Sequence, residues 1–329
     1  MKLGFVARAD NGGLGAESWE FARYMEPHKI LVIWGEHGHY PERFTRGSNI
    51  RVTTGIPNAE DLNWLLSDID VVFSIETFYN WGLVPMARQR GIKTVLRVNY
   101  EMNLNQVDPS LPVADLFLAP SMWNFTGIPG NKLYIPFPVA RDRLPFKKRT
   151  EIRSFYHIAG HAAWEDRNGT EILLQALAYT KTNIPIKIFS QTVRPNCLVK
   201  DVPNYWEIHD GDCLSLPRRY GGQSLGLNEA LSLGVPVIMP DIEPQNKFLP
   251  QEMLFPVGTP RKIKVQGGTI DCYDPDPRIL AAKIDSMSTM FIDELSTWCD
   301  WYADKISWQT LKPKYDKIFE EVANGTQNT

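Results

Sequence analysis

Short apolar runs alternate along this chain with helix-length amphipathic segments, the signature of βα units that feed a parallel sheet. In the first half the pattern predicts strands at Lys2–Ala7, Ile30–Trp34, Val71–Ile75, Thr94–Val98 and Leu116–Ala119, with helices at Gly15–Met25, Glu60–Ser67 and Trp81–Arg90. These strands are rich in Val, Ile, Leu and Phe without strict alternation, as expected where helices cover both faces of a sheet. A second series predicts strands at Phe155–Ile158, Ile186–Phe189, Cys213–Leu216 and Val235–Met239. Its helices are expected at Thr170–Thr180, Leu225–Leu233 and Pro275–Met287, with one or two amphipathic helices inside Glu294–Val322.

Between the two series the pattern lapses at Pro136–Arg153, where three prolines and a basic cluster predict a linker. At 329 residues the chain also exceeds the roughly 250–300 residues that one core serves. The expected architecture is α/β, with two Rossmann-like doubly wound domains facing across a cleft and ligands at the carboxyl ends of the strands. The domains are expected at residues 1–140 and 154–295, with C-terminal helices at 296–329 crossing back to the first.

Composition changes this picture little. Hydrophobic residues at 43% and charged residues at 22% are those of an ordinary globular protein, and no apolar run reaches the ~20 residues of a transmembrane segment. The start MKLGFVARAD reads as a buried strand and not as a secretory signal, so the expected location is the cytoplasm. A formal net charge of -3 gives no global field for nucleic acid. Cys197, Cys213, Cys272 and Cys299 are too widely spaced for a zinc or dithiol motif and read as reduced, buried thiols.

Three loops carry candidate chemistry. Asn11-Gly12-Gly13-Leu14-Gly15 follows the first strand and opens a helix, where glycines allow close backbone approach and a helix start attracts an anion or a sugar. Its spacing is neither a Walker loop nor a full dinucleotide fingerprint. Gly160–Gly169 follows the first strand of the second series and contains Arg167 and His161, basic groups able to neutralise a phosphate. Tyr220–Leu231 runs from a strand into a helix and closes on Gly234-Val235-Pro236 before another strand. There Gly221 and Gly222 permit phosphate approach at the helix start, and Glu229 lies where a carboxylate accepts from vicinal ribose hydroxyls.

Together these loops resemble glycosyltransferases of the GT-B fold, in particular the family 4-like retaining enzymes. That pattern has a Gly-Gly-Leu loop after strand one, a basic loop early in domain two and an E-x7-E segment. Here Glu229 matches the second acid, Ala230, Gly234, Pro236, Val237 and Ile238 match its flank, and Gly221 stands where the first acid belongs. Arg219-Tyr220-Gly221-Gly222 is similar to an RYGG variant among bacterial and phage glycosyltransferases. The resemblance implies that residues 1–140 bind the acceptor and 154–295 a nucleoside-diphosphate sugar donor. Gly12, Gly13 and Leu14 would border the donor, Arg167 and His161 its diphosphate, and Gly221, Gly222, Gln223, Ser224 and Leu225 its phosphate and sugar. Glu229 would hold the ribose. No tightly bound cofactor and no metal are expected, because such enzymes neutralise the leaving diphosphate with basic groups and helix dipoles.

Asp10, Glu76 and Glu101 each follow a predicted strand and are candidate catalytic acids able to orient or deprotonate an acceptor hydroxyl. In the retaining enzymes the leaving phosphate itself takes that proton. His37 and His39 lie two apart with no third ligand in their loop and read as solvated. The activity implied is transfer of a sugar to an acceptor hydroxyl with retention and without metal. The alternatives are a GT-B epimerase of nucleotide sugars and a catalytically silent nucleotide-sugar-binding protein. The acceptor stays open among a glycan, a small molecule, a protein and a modified DNA base.

Overall fold

A computed structural model of the chain describes residues 1–34, 38–44, 49–53, 55–160, 163–190, 198–199 and 208–326. In chain order the first elements are β1 (Leu3–Arg8), α1 (Gly13–Met25), β2 (Lys29–Ile33), β3 (Asn49–Val52), α2 (Ala59–Leu65), β4 (Val71–Ile75), α3 (Leu83–Gln89), β5 (Lys93–Arg97), β6 (Leu116–Ala119) and β7 (Lys132–Tyr134). There follow β8 (Phe155–Gly160), α4 (Ala163–Asp166), α5 (Thr170–Leu177), β9 (Ile186–Ser190), β10 (Leu198–Val199), β11 (Cys213–Ser215), α6 (Leu225–Ser232), β12 (Val237–Pro240) and β13 (Leu254–Phe255). The last are β14 (Arg261–Val265), β15 (Gly268–Cys272), α7 (Pro277–Ser288), α8 (Asp293–Lys305) and α9 (Trp308–Asn324). They fall into two compact units, Met1–Pro136 with Gln266–Gly268 and Trp308–Thr329, and Phe137–Val265 with Thr269–Ser307.

Unit 1 is built on a sheet of order β3-β2-β1-β4-β5-β6-β7, parallel throughout. Its inner strands β1, β2 and β4 are buried along nearly their whole length, which explains their unbroken apolar runs. The edge strands β3 and β7 were not expected; NIRV and KLY are half exposed and too polar to stand out as buried runs. Helix α9 buries Trp308, Leu311, Tyr315, Phe319 and Val322, a three-to-four-residue spacing that forms one apolar face. That face meets Phe21 of α1 and Phe73 of β4, with Phe73 and Phe319 ring centroids 5.4 Å apart and Phe21 and Phe73 4.5 Å apart.

Unit 2 has a sheet of order β10-β9-β8-β11-β12-β13 and a separate β14-β15 pair. The six-stranded sheet is also parallel. Phe155, Leu214, Leu231, Val237, Ile238 and Ile284 lie in its core. The Pro136–Arg153 stretch, expected as a linker, packs into this unit from Phe137 onward. Its apolar residues Phe137, Val139, Ala140 and Leu144 are buried, and Ser232 donates to the Leu144 carbonyl at 2.8 Å. Pro138 and the charged run Arg141-Asp142-Arg143 mask this apolar set in the sequence. Both units are thus doubly wound α/β sheets, as the hydrophobic pattern predicts. No helix among the described residues is long and apolar enough to cross a membrane.

Candidate functional site

In unit 2 the strand order reverses between β8 and its parallel neighbour β11. A reversal splays the two following loops apart and opens a crevice at the carboxyl ends of the strands. The loops that leave these strands are the two that the sequence marks as basic and glycine-rich. His157, fully buried in β8, ties their bases together. Its Nδ1 donates to the Ser215 carbonyl at 2.7 Å, which leaves Nε2 to accept from the Thr170 hydroxyl at 2.9 Å. The Asn168 amide donates to the Ile158 carbonyl at 3.0 Å, and the Arg219 N–H donates to the Arg167 carbonyl at 2.8 Å. Arg167 is half-buried directly after α4. His161 lies outside the described residues.

Arg219 belongs to the frame of the loop. Its guanidinium donates to Asp274 and to the Glu165 carbonyl, and its Nε to the Tyr273 carbonyl at 3.2 Å. Arg261 pairs with the Glu165 and Asp274 carboxylates.

Gly221 has φ +111°, a region that only glycine enters without strain. A glutamate could not replace it on this backbone, so the missing first acid goes with a loop shaped for glycine. After Gly222 and Gln223 comes Ser224, the N-cap of α6, which makes no side-chain cap bond. The positive end of the helix dipole therefore begins at Leu225 without a side-chain oxygen to offset it, a setting that favours an anion. The Gln223 side chain is engaged within unit 2, its Oε1 accepting from the Phe137 N–H at 2.8 Å. Glu229 lies further along α6 and is only 8% exposed. Its Oε2 accepts from His209 Nε2 at 2.8 Å, and His209 Nδ1 accepts from the Tyr156 hydroxyl at 2.9 Å. Burial holds the Tyr156 phenol well above its usual pKa, so it keeps the proton it donates. One helix start that favours anions thus stands near a buried carboxylate able to accept from hydroxyls.

In unit 1 the strand order reverses between β1 and β4. Asp10, just past β1, is 0% exposed. It pairs with the Arg8 guanidinium, and its Oδ1 accepts from the Gly12 N–H at 2.9 Å. Gly12 is the N-cap of α1, and Gly13 and Leu14 are the helix's first residues. A Cβ on Gly15 would lie 2.0 Å from the Asp10 carbonyl oxygen, so the helix start rests directly on the acid. Arg43 closes the other side, donating to the Asp10 carbonyl at 3.2 Å and to Asn11 Oδ1 at 2.5 Å. Asp10, expected as a catalytic acid, is enclosed and organises its loop; Arg8 two residues earlier is what draws it inward.

Glu76 follows β4 in the left-handed region at φ +70°, and Tyr79 shares that conformation at φ +62°, which is uncommon for residues with a side chain. Glu76 is half-buried, and its Oε1 accepts from the Asn99 amide at 2.9 Å. Burial pushes the Tyr79 phenol above its usual range although Arg8 beside it opposes this. Glu101, in a 3-10 turn at Tyr100–Met102, is 5% exposed. Of the three acids only Glu76 keeps appreciable solvent access. Beneath it a fully buried pair joins Glu17 of α1 to Arg97 of β5. Burial pushes Glu17 up to about 7, with Arg97 opposing.

Reasoning from sequence missed His209, Tyr156, Arg43 and the Glu17–Arg97 pair. Each acts across a separation of at least 20 residues, as in His209 to Glu229 and Glu17 to Arg97, where no local motif exists.

Neither a protein-family model nor a curated protein sequence matches the chain. Solved structures do. Anabaena HepE in complex with UDP is similar at TM-score 0.68 and 12% identity, over 98% of this chain and 100% of that one. The lipopolysaccharide outer core galactosyltransferase WaaB, in its apo form, gives 0.62 and 13% over 99% and 100%. TarM of S. aureus, in complex with fondaparinux, α-GlcNAc-glycerol and UDP, gives 0.64 and 10% over 97% and 100%. The fold is that of GT-B glycosyltransferases.

Proposed function

We propose that the protein transfers a glycosyl unit from a nucleoside-diphosphate sugar to an acceptor hydroxyl, with retention and without a metal ion. The observation that carries this is the Gly221–Glu229 unit, which pairs an uncapped helix start with the buried Glu229 on the same helix. The helix start and Arg167 meet the diphosphate, and the charge that develops on the leaving group is stabilised there. Glu229 accepts from the ribose hydroxyls. Anabaena HepE, which shares the fold, is recorded with UDP, in keeping with this division of labour.

The acceptor is bound by groups of unit 1. Glu76, the accessible acid, orients the acceptor hydroxyl, and the leaving phosphate takes its proton, so neither Asp10 nor Glu101 is required as a base. This reading needs no acid at position 221, in keeping with a loop whose φ there is +111°. It places the protein among retaining, family 4-like enzymes of the cytoplasm.

The test is calorimetry with UDP, GDP and ADP, followed by incubation with the corresponding nucleotide sugars. Binding of one nucleoside diphosphate and slow release of free sugar from its conjugate are expected. Conversion of the donor to its epimer with no acceptor would replace transfer by epimerisation, and binding without turnover against an acceptor library would leave a silent binding protein. No binding of any of the three overturns the reading.

A further inference from the structure

Behind Glu229 lies a proton-ordered chain that the catalytic reading does not use. The His209 side chain is 0% exposed and stands between two partners, Glu229 Oε2 at 2.8 Å from Nε2 and the Tyr156 hydroxyl at 2.9 Å from Nδ1. Tyr156 is itself fully buried in β8. A neutral imidazole has one donor and one acceptor nitrogen, and its partners decide which is which. An ionised carboxylate only accepts, so Nε2 carries the hydrogen and Nδ1 receives the phenol O–H. The tautomer is fixed from both ends.

We infer that His209 and Tyr156 are positioning residues that hold the Glu229 carboxylate in the one orientation that reads a ribose diol, and so set selectivity for ribo- over 2′-deoxyribonucleotides. This rests on the proposed nucleotide role of Glu229. With Oε2 tethered to His209, rotation about the terminal torsion is restrained, and Oε1 and the second lone pair of Oε2 remain as two acceptors. Two acceptors in fixed geometry suit two vicinal hydroxyls, and loss of the 2′-hydroxyl leaves one of them unmatched. Without His209 the carboxylate is free to turn and takes a lone hydroxyl nearly as well. The pairing is unlike the usual solvated sugar contact, because side-chain burial at both His209 and Tyr156 denies water as a substitute donor.

The experiment measures dissociation constants for UDP, GDP and ADP and for their 2′-deoxy counterparts in the full-length protein, taking forward whichever base binds. His209→Ala is expected to weaken the ribonucleotide about tenfold, the scale of one charged hydrogen bond, while the deoxynucleotide changes little, so that the ratio collapses. His209→Gln, whose amide N–H reaches the Nε2 position, is expected to recover most of the ratio, and Tyr156→Phe to show a partial loss. In a Glu229→Ala background, adding His209→Ala is expected to change nothing further, since the histidine acts only through the carboxylate. Additive losses in that cycle, or an unchanged ribo/deoxy ratio in a folded His209→Ala or His209→Gln protein, overturn the inference and leave nucleotide binding intact. A wild type that binds none of the six nucleotides overturns instead the reading beneath it.

Discussion

At the scale of single residues, the sharpest contrast is between two carboxylates that the sequence presents alike. Asp10 and Glu229 both stand in glycine-rich loop and helix units at strand ends, yet Asp10 is closed off by Arg8 and the Gly12 N–H, while Glu229 is steadied from behind by His209 through one oxygen. Replacing Glu229 with Ala is therefore expected to weaken nucleotide binding by roughly 1–3 kcal/mol, the scale of a hydrogen bond to a charged group left unmade. Calorimetry with the bound nucleoside diphosphate reads this directly, and unchanged affinity would mean that the nucleotide sits elsewhere. Gly221 makes the complementary case. At φ +111°, Gly221→Ala should cost about 1–3 kcal/mol of stability through backbone strain alone, seen as a lower urea midpoint, and Gly221→Glu should damage the loop without restoring any family acid.

Among the elements, those that bury both faces of a strand were legible and those that do not were missed. LGFVAR, KILVI and VVFSI are buried throughout or nearly so, and their apolar runs announce them. NIRV at one edge and KLY at the other are half exposed, so nothing but pairing to a neighbour marks them as strands. The same logic explains the loops. Gly12, Gly13, Gly221 and Gly222 were readable because glycine placement at a strand-to-helix turn is a local signal. The Tyr156–His209–Glu229 chain spans three separate elements or loops, and only the folded sheet brings it together. Helix α1 offers a direct check on how the first loop is assembled. Gly15→Ala would set a methyl 2.0 Å from the Asp10 carbonyl oxygen, a contact with backbone that cannot be relieved by a rotamer change. A loss of about 2–4 kcal/mol is expected, in the range of serious overpacking, and a denaturation midpoint equal to wild type would show that the helix start does not rest on Asp10.

For the whole molecule, topology and charge burial pull in different directions. Strand order places a reversal in each unit, β1 with β4 and β8 with β11, and the glycine-rich loops leave at both, which is where α/β sheets open to ligands. The cost appears beneath the unit 1 reversal, where Glu17 and Arg97 are 3% and 4% exposed and Glu17 is pushed up to about 7 by burial. A carboxyl whose pKa is higher in the folded chain than in the unfolded one binds more protons when folded. Stability then falls as pH rises from the unfolded value near 4.5 to about 7, by at most about 3 kcal/mol at 1.36 kcal/mol per unit. At the acid end the sign reverses. Burial would raise Asp61, but the Asn58 N–H and Arg51 outweigh it and hold its carboxyl below the usual range. Asp61 therefore stabilises above its ordinary pKa and loses that contribution as pH falls further. Together the two effects favour mildly acid conditions over neutrality, and urea unfolding followed by far-UV circular dichroism at pH 5 and pH 7.5 should show the higher midpoint at pH 5. Glu17→Gln removes the titrating group while keeping a hydrogen-bond acceptor for Arg97, so it should flatten the profile between those two pH values. A wild-type midpoint that rises from pH 5 to pH 7.5 would show instead that Arg97 keeps Glu17 ionised across the range and that the pair stabilises unit 1 as an ion pair.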